Sequence, residues 1–221
     1  MTPQPLEALQ RSLERELSWR SDEITELCTV ISEGGAQAYP LFRAGLVMLS
    51  AHWEGFLKKS VSLYLDHVFA QRLPLDQLSP PMVAVAFFND VKHAATSNYP
   101  GSDLHHVSLA RRIQQGLHTI CEKPGWTVAT QGNPGTDLLE RILASVGLDK
   151  RLGMDEPAWA ATGKFINDHV LRDRHQVAHG EGLRLTQDEI LARATRLLDL
   201  LATLRLTIIE AAGAERYRKA A

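Results

Sequence analysis

Between residues 169 and 182 the chain reads HVLRDRHQVAHGEG, a stretch that holds Arg172, Arg174, His175 and His179. An arginine and a histidine brought to one place can do two jobs on a phosphodiester. The guanidinium, always charged and fork-shaped, holds phosphate oxygens at two points. The imidazole, with an ordinary pKa of about 6.5, moves a proton at neutral pH. Ahead of this cluster Trp159, Gly163, Ile166 and Val170 recur at helical spacing, and the same count continues to Asp173 and Val177. The segment predicts one amphipathic helix, its last turn crowded with bases and stopped by Gly180.

On an ideal helix the step from Arg174 to His179 leaves the two about 140° apart, whereas the step from Arg172 to His179 returns to within about 20°. Periodicity therefore favours Arg172 as the partner of His179. A last turn that unwinds before Gly180, with Gly182 adding slack, would bring Arg174 round instead. Both arginines stay open. The cluster also has a purely structural account, because cations suit the negative end of a helix dipole by ~0.3–1 kcal/mol each.

The elements that must position these residues read as helices. Residues 5–32 carry Leu6, Leu9, Leu13, Leu17, Ile24, Leu27 and Ile31 at steps of three, four or seven, with Gly34 and Gly35 as the stop. Residues 38–71 predict a longer second helix, apolar on Leu46, Leu49, Trp53, Phe56, Leu57, Val61, Tyr64 and Val68. Arg43, His52 and Glu54 interrupt that strip and read as its solvated flank. After Pro74, Pro80 and Pro81, residues 81–97 predict a helix by their length, although Val83, Val85 and Phe87 would also suit a strand. NYPGSD is a turn, with Ser102 or Asp103 as the cap of a helix over 103–122. Arg111 and Arg112 on that helix form either a small phosphate-facing patch or a solvated face. PGWTVATQGNPG marks the clearest internal break, followed by a short helix from Thr136 or Asp137 to about Val146. Residues 74–153 thus form an insertion between the long second helix and the helix bearing Arg174 and His179. Thr186 and Glu189 make a capping box for a last amphipathic helix to about residue 212, and RYRKAA reads as a frayed basic tail.

Composition narrows the class. With 221 residues and 44% hydrophobic content, the chain can bury a core as one domain over 1–221, its main helices in 5–71 and 155–212. A formal net charge of -2 supplies no global field for nucleic acid, so any such contact must be local or lie in a groove between two copies. Cys28 and Cys121 fit no metal spacing and read as buried thiols. His105 and His106 face different ways on a helix and find no carboxylate at ligand spacing, so no metal site is expected. GNPGTD lacks the lysine of a phosphate-cradling loop, and GxSxG, HExxH and dinucleotide fingerprints are absent. Asp168 and His169 are adjacent and cannot by themselves form a triad. No signal-peptide pattern and no long apolar run occurs, so the expectation is a soluble cytoplasmic protein without membrane contact.

RHQVAHG resembles the signature of the HEPN domains, with Arg174 as the arginine, His175 as the polar neighbour and His179 as the histidine. The stretch LVMLSAHWEGFLKKSVSLYLDHV, residues 46–68, resembles the Trp-Glu-Gly-Phe segment of the MAE-type branch of bacterial HEPN proteins, as do Trp19 with Arg20, and Arg43. The resemblance implies an all-α, HEPN-like helical bundle and a metal-independent endoribonuclease that needs no cofactor. It implies Arg174 and His179 as catalytic, with His175, Arg172, Glu54 and Arg43 supporting them or binding RNA. Also implied are a homodimer with a composite site, and an antitoxin or restriction-type partner in a toxin–antitoxin or phage-defence system. A non-catalytic subunit that binds RNA, nucleotide or protein is the alternative.

Overall fold

The computed structural model describes residues 5–34, 39–96, 104–125, 128–130 and 134–220. The spacing of leucines and isoleucines produces α1, Leu6–Gly34, which turns Leu9, Leu13, Ile24 and Ile31 inward. α2, Tyr39–Ala70, is buried along most of its length, and Trp53, Phe56, Leu57, Val61 and Tyr64 are fully enclosed. Its 32 residues extend for about 48 Å. α8, Gln187–Gly213, starts at the expected capping box: Thr186 Oγ1 accepts the Glu189 N–H at 3.2 Å, and Glu189 Oε2 accepts the Thr186 N–H at 2.8 Å. α1, α2 and α8 pack on one another and enclose the centre of an all-α bundle. Among the described residues the only extended pairings are two isolated bridges, Pro74 with Ile120 and Leu78 with Arg218.

Between α2 and the last third of the chain lie a short 3-10 turn, Leu75–Gln77, and three helices: α3, Pro80–Thr96; α4, His105–Gln114; and α5, Thr136–Ser145. α3 packs on both α4 and α5. Met82, Val85, Leu139 and Leu143 join the same apolar core as α1 and α2, so this segment is built into the bundle. Trp53 ties it down further, its indole N–H donating to the Pro134 carbonyl at 2.9 Å. The strand option at 83–87 is excluded, since that run lies within α3. The helix expected over 103–122 is much shorter, because α4 buries no residue and the chain leaves it at Gln114. Ser102 and Asp103, like Gly35, Gly132 and Asn133, lie outside the described residues, and α4 starts without a side-chain cap. Cys121 consequently falls in irregular chain; it and Cys28 are half-buried rather than buried. Arg112 pairs with Asp90 and lies over the Phe87 ring at 4.6 Å, which ties α4 to α3, while Arg111 is exposed.

The basic tail is not frayed. Tyr217 is buried, its ring 6.0 Å from that of His67, and its carbonyl accepts the Ser79 N–H at 2.8 Å. The Lys219 N–H then donates to the Gln77 carbonyl at 2.9 Å. An aromatic body in an otherwise basic run gives this segment something to bury.

Two predictions come from this packing. Trp53→Ala removes a fully enclosed ring and its hydrogen bond, and lowers the unfolding free energy by about 3–5 kcal/mol in urea titration. Burial pushes the His67 imidazole, and likewise that of His52 (where the Glu23 carboxylate opposes the shift and Arg20 adds to it), below the ordinary histidine value. The unfolded chain then binds more protons than the folded one as the pH falls. Stability is full above about pH 6.5 and declines as the pH drops below it toward the folded values. His67→Gln flattens that acid slope in Tm measured against pH.

Candidate functional site

The helix expected from Trp159 onward is built from three joined pieces: α6, Glu156–Lys164; a π-helical stretch, Phe165–Arg172; and α7, Asp173–Ala178. Asp155 caps its start by accepting the Ala158 N–H at 2.9 Å, with Pro157 in the first turn. A π turn holds more residues than an α turn, and such stretches recur at functional sites. Trp159, Gly163, Ile166 and Val170 still face the core, joined by Phe165.

At the first residue of α7 the core-facing position is occupied by Asp173, which is 5% exposed. Its carboxylate meets the Arg193 guanidinium of α8 at 2.9 Å, a charge contact rather than an aligned hydrogen bond, and His169 Nδ1 at 3.3 Å. An acidic group at an apolar position is tolerable when a cation shares its burial, and here that cation clamps the motif helix to α8. The sequence does show Asp173 on the apolar count. Its partner, Arg193, is not legible there, because nothing local links positions on separate helices.

The far end of α7 closes in a Schellman motif. The Gly180 N–H donates to the Val177 carbonyl at 3.1 Å and the Glu181 N–H reaches back to the Gln176 carbonyl at 2.9 Å, with Gly180 at φ +76°. The glycine therefore fixes His179 as the residue that caps the helix end. The returning chain is held by α2: Arg43 Nη2 donates to the Glu181 carbonyl at 2.8 Å, and the Tyr39 hydroxyl donates to the Leu183 carbonyl. His175 and His179, one turn apart, bring their ring centroids to 4.2 Å, tilted by 53°, and both are exposed.

The two arginines go to different places. Arg172 shares the exposed face of the histidines, as periodicity indicates, but its guanidinium is drawn back onto Asp168 at 2.9 Å and lies 3.7 Å from Asp173. Arg174, about a quarter turn from His175, is half-buried, and its charge reaches Glu54 of α2. Burial raises the Glu54 carboxyl, yet hydrogen bonds from Lys58 Nζ (2.5 Å) and the Thr130 hydroxyl, with the fields of Lys58 and Arg174, outweigh it and hold the group below its ordinary value. Glu54 thus keeps a standing negative charge beside α7, and is no idle flank residue.

His52 points the other way. It is 5% exposed, paired with Glu23 of α1 at 3.2 Å, and set edge-on to Trp19 at 5.5 Å. Arg20 is buried beside it, 4.1 Å over the Trp19 ring and donating to Glu16 Oε2 at 2.6 Å. Trp19, Arg20 and His52 accordingly stitch α1 to α2. Among the described residues no three His, Cys, Asp or Glu side chains gather as metal ligands would, and no helix there is long and apolar enough to cross a membrane.

With this geometry in place, the chain matches the sequence model of RiboL-PSP-HEPN over residues 15–210, from within α1 into α8. The match says nothing of the MAE-type branch. No curated protein and no solved structure matches the chain.

Arg193→Met leaves Asp173 buried without its main partner and should cost about 3 kcal/mol in chemical denaturation, most of it recovered when Asp173→Leu is added. A single variant as stable as wild type would refute the clamp. Gly180→Ala meets no atom within 4 Å of the new Cβ, so its cost is the left-handed backbone alone, about 1–2 kcal/mol, and Gly180→Asn costs less.

Proposed function

The chain belongs to the RiboL-PSP-HEPN family, and from that footing we propose that it is a cytoplasmic, metal-independent endoribonuclease of a bacterial toxin–antitoxin or phage-defence system. Family membership points to RNA cleavage or nucleotide binding. The observation that carries the finer reading is the exposed pair His175 and His179, their rings 4.2 Å apart, at a helix end flanked by Arg172 and Arg174.

In this reading the ribose 2′-oxygen attacks the adjacent phosphorus, a histidine takes the 2′-OH proton, and the bond to the 5′-oxygen breaks as that oxygen gains a proton. The products are a 2′,3′-cyclic phosphate and a 5′-OH. Arg174, which lies in the field of the Glu54 carboxylate, stabilises the charge that builds on the non-bridging oxygens. His179 carries the proton, and His175 and Arg172 bind the phosphate. Arg43 acts through the loop carbonyl that it holds. One proton-transfer group per protomer suits a homodimer in which two His179 side chains serve as base and acid. Such a pairing also concentrates cations in a groove despite a net charge of -2. An antitoxin or other defence partner would then restrain the enzyme.

The test is cleavage of labelled mixed-sequence RNA in EDTA. Wild type should yield cyclic-phosphate ends, and Arg174→Ala and His179→Ala should each lose about 10²–10³ in rate while keeping their helical circular dichroism. Equal cleavage by all three proteins would mean a contaminant. RNA retained but never cut would leave a binding module.

A further inference from the structure

One histidine per protomer carries the proton in the reading above, yet the helix end presents two. The His179 N–H donates to the His175 carbonyl at 3.0 Å, which sets them one α-helical turn apart. Their ring centroids are 4.2 Å from each other. Both side chains are exposed, and among the described residues no hydrogen bond or ion pair holds either imidazole. The backbone beneath them is fixed from both sides. Asp173 meets Arg193 at 2.9 Å, and the Schellman bonds of Gly180 and Glu181 close the turn.

That spacing suits a chelate. Two imidazole nitrogens on one ion, each at about 2.0–2.1 Å and at a cis angle of about 90–110°, put the ring centroids roughly 4.5–5 Å apart. Opening the pair to that separation takes less than about 1 Å of movement by exposed rings, whose χ2 torsions are broad. Neutral imidazole is a preferred ligand of zinc, nickel and copper ions, whereas magnesium and calcium take oxygen.

The charge around the pair admits a cation. The Arg172 guanidinium is held by Asp168 at 2.9 Å, and Arg174 lies in the field of Glu54. His175 also borders an open groove of about 490 Å³ whose wall includes Leu171, Arg172 and Glu181. The groove leaves room for water in the remaining coordination positions. Among the described residues no third His, Cys, Asp or Glu joins the pair, so the site differs from a closed structural centre and its ion exchanges with solvent.

We propose that His175 and His179 chelate one divalent transition-metal ion of the zinc, nickel and copper class, and that the bound ion blocks proton transfer by His179. A ring nitrogen whose lone pair is on a metal cannot accept the proton of a ribose 2′-OH. The ion is an inhibitor, and cleavage itself stays metal-independent. The block rests on the RNA-cleaving reading of the Arg174 and His179 site; the chelate does not.

The probe is Ni²⁺, titrated calorimetrically into full-length protein stripped with EDTA and dialysed, with Mg²⁺ as control. Wild type should bind Ni²⁺ more tightly than Mn²⁺ and should not take Mg²⁺ at the pair. His175→Ala and His179→Ala should each weaken Ni²⁺ binding about 10²-fold, because the second ligand of a chelate acts intramolecularly. His93→Ala should leave that affinity unchanged, since His93 and His105 approach to 5.1 Å only across two helices. On labelled RNA, Ni²⁺ at about ten times its dissociation constant should slow wild type about tenfold, reversibly with EDTA, and should change the rate of His175→Ala by less than about twofold. Affinity untouched by both substitutions, or Ni²⁺ held by the pair without loss of cleavage, would overturn the proposal. Histidine-dependent Ni²⁺ binding by a protein that never cuts RNA in EDTA would sink the nuclease reading and leave the chelate standing. Cleavage in EDTA by a protein that binds no Ni²⁺ would do the opposite.

Discussion

The buried pairing of Asp173 with Arg193 is the constraint on which the arrangement of the motif helix depends. α7 ends the helix that begins at Glu156, and its facing is set where it packs on α2 and where Asp173 meets α8. A carboxylate at 5% exposure cannot sit in the core unpaired. The only geometry that satisfies it sets the helix face containing residue 173 against α8. Arg172, Arg174, His175 and His179 then follow by rotation about the helix axis. Removing charge from the core would gain apolar burial, but it would also remove the charged contact that ties this face to α8, leaving the packing of α7 on α2 alone to orient the helix.

Around that clamp the charges are divided by face. The acidic groups Asp168, Asp173 and Glu54 each hold an arginine or lie in the field of one. The imidazoles of His175 and His179 are left at the surface beside each other. A chain with nearly balanced overall charge can in this way expose a local donor face without a basic patch that composition would reveal. The π-helical stretch contributes by widening the turn just before α7, so that Leu171 and Arg172 border an open groove.

The α-helical class, the long central helix, the Thr186–Glu189 box and the stop at Gly180 were all legible in sequence, because each is a local pattern of period, cap or glycine. The same is true of the apolar count that placed Asp173 inward. What local pattern does not reveal is pairing across helices: Arg193 on Asp173, Arg43 on the Glu181 carbonyl, Glu23 on His52. His52 reads as a flank residue because polarity alone suggests solvent, yet it is buried with a charged partner, as is Arg20. The expected length of α4 and the expected fraying of the tail fail for opposite reasons. α4 has helical composition without a surface to bury, while Tyr217 is one buried ring inside a run that composition calls solvated.

The order of the chain adds a consequence for biosynthesis. Asp173 leaves the ribosome before Arg193, and α1 and α2 can pair long before the third member of their core, α8, exists. Until residues 187–213 emerge, the motif helix has no clamp and the bundle has an open apolar seam. A nascent or prematurely terminated chain therefore carries the arginines and histidines without the scaffold that aims them. Translation itself therefore delays assembly of the site until the residues of α8 have emerged.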